Sequence, residues 1–296
     1  MAAPLPEVLI PATAPGAPPA AAAWWGRGRV RTLEIVLPAA FLILLFGACF
    51  LWPLVYPVPK PIGGSVLEAS LPPLSRGHIF GTDPVGNDVL SRVLYGGRVS
   101  LEIGLAVNVI GIAIGGLLGS VAAYRGRIVD AVIMRVLDVL IAFPGIVLAL
   151  AIAEGLGPSE LHTIWALSFF SVPAFGRIAR AATLRLREQT FMLAASLSGT
   201  RGWRMLLRHV APNIVPQLTT FGLLGVGVTI ILAGALSFLG LGVPLPTPDW
   251  GNMIAQGQVS LTSNPYLVVI PGIFLFAATA AFNLLGDGLR ARWSAR

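Results

Sequence analysis

The chain has 296 residues, of which 55% are hydrophobic and only 11% are charged. Soluble globular domains carry roughly 25% charged residues, so this composition excludes an ordinary soluble fold. A mean hydropathy of +0.81 requires apolar surface to face a bilayer over most of the length. The net charge of +7 does not indicate nucleic-acid binding, because the arginines flank long apolar runs instead of sharing one polar face.

The amino-terminal part predicts a tail followed by a membrane helix. Residues 1–23 are almost entirely alanine, proline and other small residues, which favour disorder, and a basic anchor with three arginines extends this cytoplasmic segment to residue 32. The apolar run at 33–56 follows basic residues as in a signal peptide, but its length predicts an uncleaved first transmembrane helix. Cys49, the only cysteine, is predicted to be a buried thiol, and it excludes an intrachain disulfide or a multi-cysteine metal site.

The rest of the chain predicts an outer loop at 57–98, a core at 99–290 and a short carboxyl-terminal segment at 291–296. The core holds five further apolar stretches, most of them near the ~20 residues that cross a bilayer. These stretches are Leu101–Tyr124, Ala131–Ala153, Leu161–Phe175, Leu218–Leu241 and Tyr266–Leu285. The sequence therefore predicts an all-α integral membrane protein with six transmembrane helices.

The basic residues predict the orientation of these helices. With the amino terminus inside, 16 of the 20 basic residues fall on the inner side, as the positive-inside rule requires. The outer segments at 154–160 and 242–265 contain no lysine or arginine. We therefore expect both termini to lie in the cytoplasm.

The longest predicted cytoplasmic connection, at 177–216 between the fourth and fifth transmembrane helices, combines seven arginines with a helical apolar rhythm. Phe191 begins one short amphipathic helix, Gly199 marks a break, and Trp203 begins a second helix that Pro212 is predicted to end. On these residues alone, an interfacial pair lying on anionic lipid is favoured over a protein-docking surface.

Part of this loop resembles a known signature. Ala194-Ala195-x-x-x-Gly199, followed by Arg208-His209-Val210-Ala211-Pro212-Asn213, is similar to the coupling loop of permeases that dock on ATP-binding-cassette subunits. Leu193 stands where family members commonly have an acidic residue, and Ala211 stands where they have leucine. The resemblance implies that the loop fills a groove on an ATPase through these residues: Ala194, Ala195, Gly199, Arg208, His209, Pro212 and Asn213.

The resemblance covers about residues 78–290, and three further stretches tie it to the dipeptide, oligopeptide and nickel branch, as the second, C-type permease. They are Gly81-Thr82-Asp83 with Gly86-Asn87-Asp88-Val89-Leu90-Ser91-Arg92, then Leu236–Gly242 with Pro248–Met253, and Ala281–Arg290. Asn87 replaces a usual arginine. The marker residues of the first two stretches are Gly81, Asp83, Gly86, Asp88, Arg92, Asp249, Trp250 and Asn252. They are predicted to form scaffold or to contact substrate or a delivering binding protein.

Polar residues within the apolar stretches are costly in hydrocarbon unless they face a partner or a wet cavity. Asn108, Asn283 and Asp287 are therefore candidates for the pathway or a gate, although helix termination is an alternative for the last two. Asp138 is expected to pair with Arg135 three residues earlier.

Small residues predict one close helix contact. Gly111, Gly115 and Gly119 recur at four-residue spacing and line one helix face, where they allow a neighbouring helix to approach closely.

No catalytic, metal or cofactor site is predicted on this chain. Lys60 is the only lysine and Pro61 follows it, which excludes a Gly-x-x-x-x-Gly-Lys-Ser/Thr phosphate loop. The three histidines are far apart in the sequence, and no hydrolase motif is present.

The resemblance implies a non-catalytic transport subunit in the bacterial cell membrane that forms half of a translocation pathway, with peptide as the favoured substrate. It implies a second homologous permease, two ATPases carrying ATP and Mg²⁺, and an extracytoplasmic substrate-binding protein, besides membrane lipid and without nucleic acid. The alternatives are import of nickel or another small solute by the same architecture, or an autonomous secondary transporter.

Overall fold

The computed structural model describes residues 24–51, 61–75 and 77–294. Over these residues every regular element is a helix, with two isolated β-bridges near Ser75 and Thr82. The predicted disordered tail at 1–23 lies outside the described residues, as does the end of the first predicted transmembrane helix. The prediction of an all-helical chain is confirmed over the part described.

The helices in chain order are α1 Trp24–Phe46 with a π-helical turn at Gly47–Leu51, α2 Val89–Arg125, α3 Arg127–Ala142, α4 Gly145–Leu156, α5 Glu160–Arg187, α6 Thr190–Leu197, α7 Trp203–Phe238, α8 Trp250–Gln258 and α9 Tyr266–Ser294. Two of them contain a π-helical turn, α2 at Gly111–Gly115 and α7 at Leu206–Val210.

Four stretches in the described residues are long and apolar enough to cross a membrane: Leu33–Leu51, Val89–Arg125, Trp203–Phe238 and Tyr266–Trp293. The pair α3 and α4 gives a fifth if it counts as one span. The predicted fourth span lies in α5, whose 28 residues extend for about 42 Å but are too polar to qualify on composition.

The predicted span Ala131–Ala153 is wrong as a single helix. The chain bends by 84° between α3 and α4. Phe143 has extended backbone angles (φ −81°, ψ 137°) because it precedes Pro144, and a residue before proline is disfavoured in the α region.

The predicted coupling loop also differs in its helices. Residues 177–187 belong to α5 instead of a loop, and Pro212 does not end the second short helix, which continues unbroken to Phe238. The π-helical turn before Pro212 has already rearranged the backbone bonding, since the Ala211 N–H donates to the carbonyl of Leu206. Pro212 follows this turn directly, and neighbouring helices can satisfy the carbonyl that its missing N–H leaves free in a membrane protein.

Three predicted boundaries shift because helices run further. α1 begins at Trp24, so the basic anchor at 24–32 is helical. α2 begins at Val89 inside the predicted outer loop, since the Asp88 side chain accepts a hydrogen bond from the Ser91 N–H and caps the helix. α9 continues to Ser294, so Asn283 and Asp287 lie within a helix and not at its end.

The bundle has two distinct ends. One carries residues 61–75 and 77–88, here named the cap segment, which leads into α2. The 37 residues of α2 extend for about 55 Å to the other end, where the Gly202 N–H donates to the Tyr124 hydroxyl at 3.1 Å. α5 lies alongside α2 between Arg98 and Ala123, because Glu160 interacts electrostatically with Arg98 and Arg187 donates to the Ala123 carbonyl at 2.6 Å. The bent pair α3–α4 therefore returns the chain from one end to the other.

The predicted close helix contact is confirmed and lies between α2 and α5. A side chain at Gly111 would collide with Ser171, and one at Gly115 or Gly119 would collide with the α5 backbone carbonyls of Val172 or Gly176. Cys49 is fully buried, as predicted, in a core built from α1, α2, α7 and α9 around Trp250.

Two arginines of α5 tie this helix to α3. Arg180 pairs with Asp130 through two hydrogen bonds of 2.6 and 2.7 Å. Asp138 pairs with Arg177 at 2.7 Å instead of with Arg135, so that prediction is wrong. The packing of α5 beside α3 brings Arg177 to Asp138, while Arg135 is exposed.

Candidate functional sites at the two ends of the bundle

The segment from α6 to the start of α7 presents two different faces. The face that packs against the bundle is buried in one apolar cluster, which joins Met192 and Ala195 of α6 to Leu206 and Val210 of α7. The face turned away from the bundle leaves large apolar side chains exposed: Phe191, Leu193, Leu197, Trp203 and Leu207. Leu197 is 80% exposed, so the free chain leaves an apolar surface uncovered here.

The seven predicted coupling residues lie together in this segment. Ala194, Gly199, Arg208, Pro212 and Asn213 are exposed, His209 is half-buried, and Ala195 is buried. Gly199 ends α6 with φ +84°, a left-handed conformation that favours glycine, and a side chain there would meet open space. The Asn213 Nδ2 donates to the His209 carbonyl at 2.7 Å and stiffens the second helix.

The opposite end is built around the cap segment, whose polar residues fold it. Asp83 Oδ1 accepts from the N–H groups of Val85 and Asn87 at 2.9 and 2.8 Å, and Asp83 Oδ2 accepts from Asn87 Nδ2 at 2.8 Å. Asn87 Oδ1 in turn accepts from the Gly64 N–H at 2.9 Å. Asn87, which departs from the usual arginine, thus closes the turn that Asp83 begins.

Two marker glycines and Asp88 complete this fold. Gly81 and Gly86 adopt φ of +76° and +84°, and a side chain on either would collide with the backbone of Leu71 or Ser65. Asp88, besides capping α2, lies with Oδ1 2.8 Å from His78 Nδ1.

The cap segment is attached to α2, α8 and α9 by long-range contacts. The Tyr266 hydroxyl lies 2.9 and 2.8 Å from the carbonyls of Leu71 and Thr82. The Arg92 guanidinium, only 4% exposed as a residue, reaches Asp83 of the cap and Gln256 of α8 at 3.5 and 3.3 Å. The first two marker stretches therefore meet in space.

The second marker stretch forms the start of α8. Asp249 and Asn252 make a capping box, in which Asp249 accepts from the Gly251 and Asn252 N–H groups at 2.7 and 3.2 Å. Trp250 is completely buried and its Nε1 donates to the Val93 carbonyl at 3.0 Å. Burial raises the pKa of the Asp249 carboxyl to about 6, despite the hydrogen bonds from the Asn252 and Gly251 N–H groups, which act in the opposite direction.

Residues 112–296 match the family described as binding-protein-dependent transport system inner membrane component. This chain belongs to that family. It is 39% identical to a dipeptide transport system permease protein of Alkalihalophilus pseudofirmus, over 73% of this chain and 71% of the relative. It is 40% identical to a glutathione transport system permease protein of Pectobacterium atrosepticum, over 73% and 72%. It is 45% identical to the glutathione permease protein of Escherichia coli, over 72% and 70%.

The chain is thus an importer permease subunit, and the resemblance predicted from the coupling loop and marker stretches is confirmed. The family is one of multi-pass inner membrane transport components, which agrees with the apolar helices. Over the described residues, no group of three or more histidine, cysteine, aspartate or glutamate side chains is placed to hold a metal ion.

The three candidate pathway residues of this permease differ in their surroundings. Asn108 is buried, and its Nδ2 donates to the Gly104 carbonyl at 2.8 Å and to Thr229 Oγ1 at 3.0 Å, so it links α2 to α7. Both Nδ2 hydrogens are used, which favours a packing role. Asn283 is half-buried beside Gly227, and Asp287 is exposed one turn further along α9.

Several residues of the permease were not found by sequence reasoning. Tyr124 and Arg187 connect the start of α7 and the end of α5 to the end of α2, and Arg180 connects α5 to α3. Tyr266 and His78 hold the cap segment. Their partners are distant in sequence or backbone carbonyls, so no local spacing signals them. The acidic residues on α3 and the arginines on α5 were the only available hint.

Proposed function

We propose that this permease forms half of the translocation pathway of an ATP-driven peptide importer, and that α6 with the start of α7 docks on an ATPase subunit. The observation that carries this proposal is the exposed apolar face of that segment. Leu193 and Leu197 are 59% and 80% exposed, on a helix that is too short to cross a membrane. Exposed apolar patches rimmed by polar residues are typical of protein docking sites.

The geometry of the segment suits force transmission. Its buried face joins α5 to α7 in one core, Tyr124 ties the segment to the end of α2 at Gly202, and Arg187 ties the adjoining end of α5 to α2. A movement imposed on α6 would therefore be transmitted to three long helices at once, because packed elements shift as rigid bodies. The lipid-surface alternative gives no role to this linkage.

The proposal includes six spans with both termini in the cytoplasm. The pair α3–α4 would be the third span and α5 the fourth, since α5 is long enough to cross and extends between the two ends of the bundle. Arginines concentrate at the end that carries α6, which is consistent with a cytoplasmic location. The cap segment would then lie outside.

The remaining components would be other chains. Two ATPase subunits would supply ATP and Mg²⁺, a second homologous permease would complete the pathway, and an extracytoplasmic protein would deliver the substrate. Peptide is the proposed substrate because the similar proteins are named for dipeptide and glutathione transport.

The test is Leu197→Glu, measured by the amount of ATPase that copurifies with the permease and by ATP-dependent peptide uptake. We expect copurified ATPase to fall by about 10-fold or more, because a carboxylate would be buried at the contact. Membrane insertion should be unchanged, since Leu197 lies on the exposed face.

The matched control is Leu67→Glu, the same substitution at a 96% exposed leucine of the cap segment. This variant should retain the ATPase. Normal ATPase recovery and uptake with Leu197→Glu would contradict the docking proposal.

A further inference from the structure

The junction of the cap segment with α2, α8 and α9 forms a half-open cavity of about 290 Å³. Its polar side is formed by Asp83, Arg92 and Gln256. Its apolar side is formed by Val89, Met253 and Leu267, with Val85 and Val259 exposed at the rim. Ligand cavities commonly measure about 300–1,000 Å³, so this one suits a small molecule and not a long peptide.

Among the described residues, the Arg92 guanidinium makes only long contacts, which leaves it able to bind an anion more closely. Its contacts with the described residues are all long: 3.5 Å to Asp83, 3.5 Å to the Pro61 carbonyl and 3.3 Å to Gln256 Oε1. Hydrogen bonds from a guanidinium to a carboxylate are normally about 2.7–2.9 Å. A buried cation with only long contacts is costly, and a well-placed carboxylate would offset that cost.

Asp83 does not neutralise Arg92 closely because it is engaged elsewhere. Its two oxygens accept three hydrogen bonds of 2.8 to 2.9 Å from Val85 and Asn87, which hold the carboxylate in the cap turn. Asp83 nevertheless lines the cavity, so it offers negative charge to an ammonium group that enters beside Arg92.

We infer that this cavity binds a free amino acid or dipeptide with an apolar side chain, through its α-carboxylate at Arg92, its ammonium at Asp83 and its side chain against Met253 and Leu267. The ligand class comes from the chemistry of the cavity and not from the names of relatives. The inference is independent of the docking proposal, because the cavity lies at the opposite end of the bundle from α6.

The test is equilibrium binding to the purified full-length chain in lipid nanodiscs, detected by saturation-transfer NMR or calorimetry. The probes are L-leucine, 4-methylpentanoate, which lacks the ammonium, and isopentylamine, which lacks the carboxylate. We expect saturable binding of L-leucine, weaker binding of 4-methylpentanoate and no saturable binding of isopentylamine. Equal binding of the amine, or no saturable binding of L-leucine at millimolar concentrations, would overturn the inference.

Two variants locate the site. Arg92→Gln removes the cation and should weaken L-leucine binding by about 10-fold or more, as expected for a lost charged hydrogen bond. Gln256→Glu preserves side-chain shape and places a carboxylate next to Arg92, so it should compete with the ligand and weaken binding to a similar extent. If Arg92→Gln fails to fold, the isosteric Gln256→Glu decides.

The matched control is Arg98→Gln, which removes an arginine six residues along α2. Arg98 is half-exposed, pairs with Glu102 at 2.9 Å and does not line the cavity, so this variant should bind L-leucine normally. Binding that survives Gln256→Glu, or that falls equally in Arg98→Gln, would overturn the inference. If the wild-type chain bound L-leucine but supported no ATP-dependent peptide uptake, that result would count against the transport proposal alone.

Discussion

Asp249 is a buried carboxylate at the start of α8, with a pKa raised by burial to about 6 from an ordinary value of 3.8. The folded protein therefore binds this proton at a higher pH than the unfolded chain does. The contribution of Asp249 to the free energy of unfolding is therefore greatest below about pH 4, and it falls as the pH rises from about 4 to about 6. The difference between the two pKa values corresponds to roughly 3 kcal/mol as an upper limit.

Asp249→Asn should remove this dependence, because the amide oxygen can still accept from the Gly251 and Asn252 N–H groups but does not ionise. In detergent, the melting temperature of the wild type relative to Asp249→Asn should rise as the pH is lowered from 7 to 4. Parallel curves for the two proteins across this range would show that Asp249 does not titrate as proposed.

Residue roles were predictable where the partners are local. Asp88 accepts a hydrogen bond from the Ser91 N–H and caps α2, a contact between residues only three positions apart. Trp250 was recognised as part of a marker stretch, but its burial against Gly97 and Cys49 depends on three elements far apart in sequence. Local spacing carries no information about such contacts.

The contact between α2 and α5 rests on glycines and can be tested as an element. Gly119→Val should destabilise the protein by about 3 kcal/mol, because the new side chain would collide with the Gly176 carbonyl, and backbone cannot move aside as a side chain would. Thermal unfolding in detergent measures the loss. The control is Gly272→Val in α9, where an added side chain meets nothing within 4 Å, and it should unfold near the wild-type temperature.

The turn after α6 makes a second prediction at this scale. Gly199→Pro should uncouple ATP hydrolysis from uptake, because proline requires φ near −65° and removes an N–H that donates to the Ser196 carbonyl at 3.1 Å. Gly199→Asn is the matched control, since asparagine tolerates the left-handed conformation and the site has open space. The measurement is the rate of ATP hydrolysis and of uptake in the reconstituted importer. Coupled transport by both variants would contradict this prediction.

A bulky charged residue at Ala195 would be a poor test of docking. Ala195 is buried in the cluster with Met205 and Val210, so a bulky charge there would disturb folding as well as docking. The sequence alone could not distinguish this buried alanine from the exposed Ala194 beside it.

Prolines show why element boundaries were harder to predict than element types. Pro144 breaks a helix between α3 and α4, whereas Pro38, Pro173, Pro216 and Pro271 lie inside helices. Neighbouring helices can satisfy the backbone carbonyls that a proline frees in a membrane protein. The residue type alone therefore does not decide whether the chain bends, and one predicted span proved to be two helices.

Over the whole molecule, composition and apolar run length were enough to predict a helical membrane protein, and short motifs identified the family. The path of the chain between the two ends was less accessible, because it depends on a bent pair and on the polar helix α5. If α3–α4 and α5 both cross the membrane, three crossings separate the cap segment from α6, and the two surfaces face opposite sides. If the bent pair does not cross, they face the same side.

Labelling of one introduced cysteine at a time decides between these topologies. Leu67→Cys in the cap segment and Leu197→Cys in α6 each place a thiol at a highly exposed position, while Cys49 is fully buried and should stay unlabelled. With a membrane-impermeant maleimide we expect Leu67→Cys to react in intact cells and Leu197→Cys to react only after permeabilisation. Labelling of both in intact cells would mean that the bent pair does not cross, and α6 could then not reach a cytoplasmic ATPase.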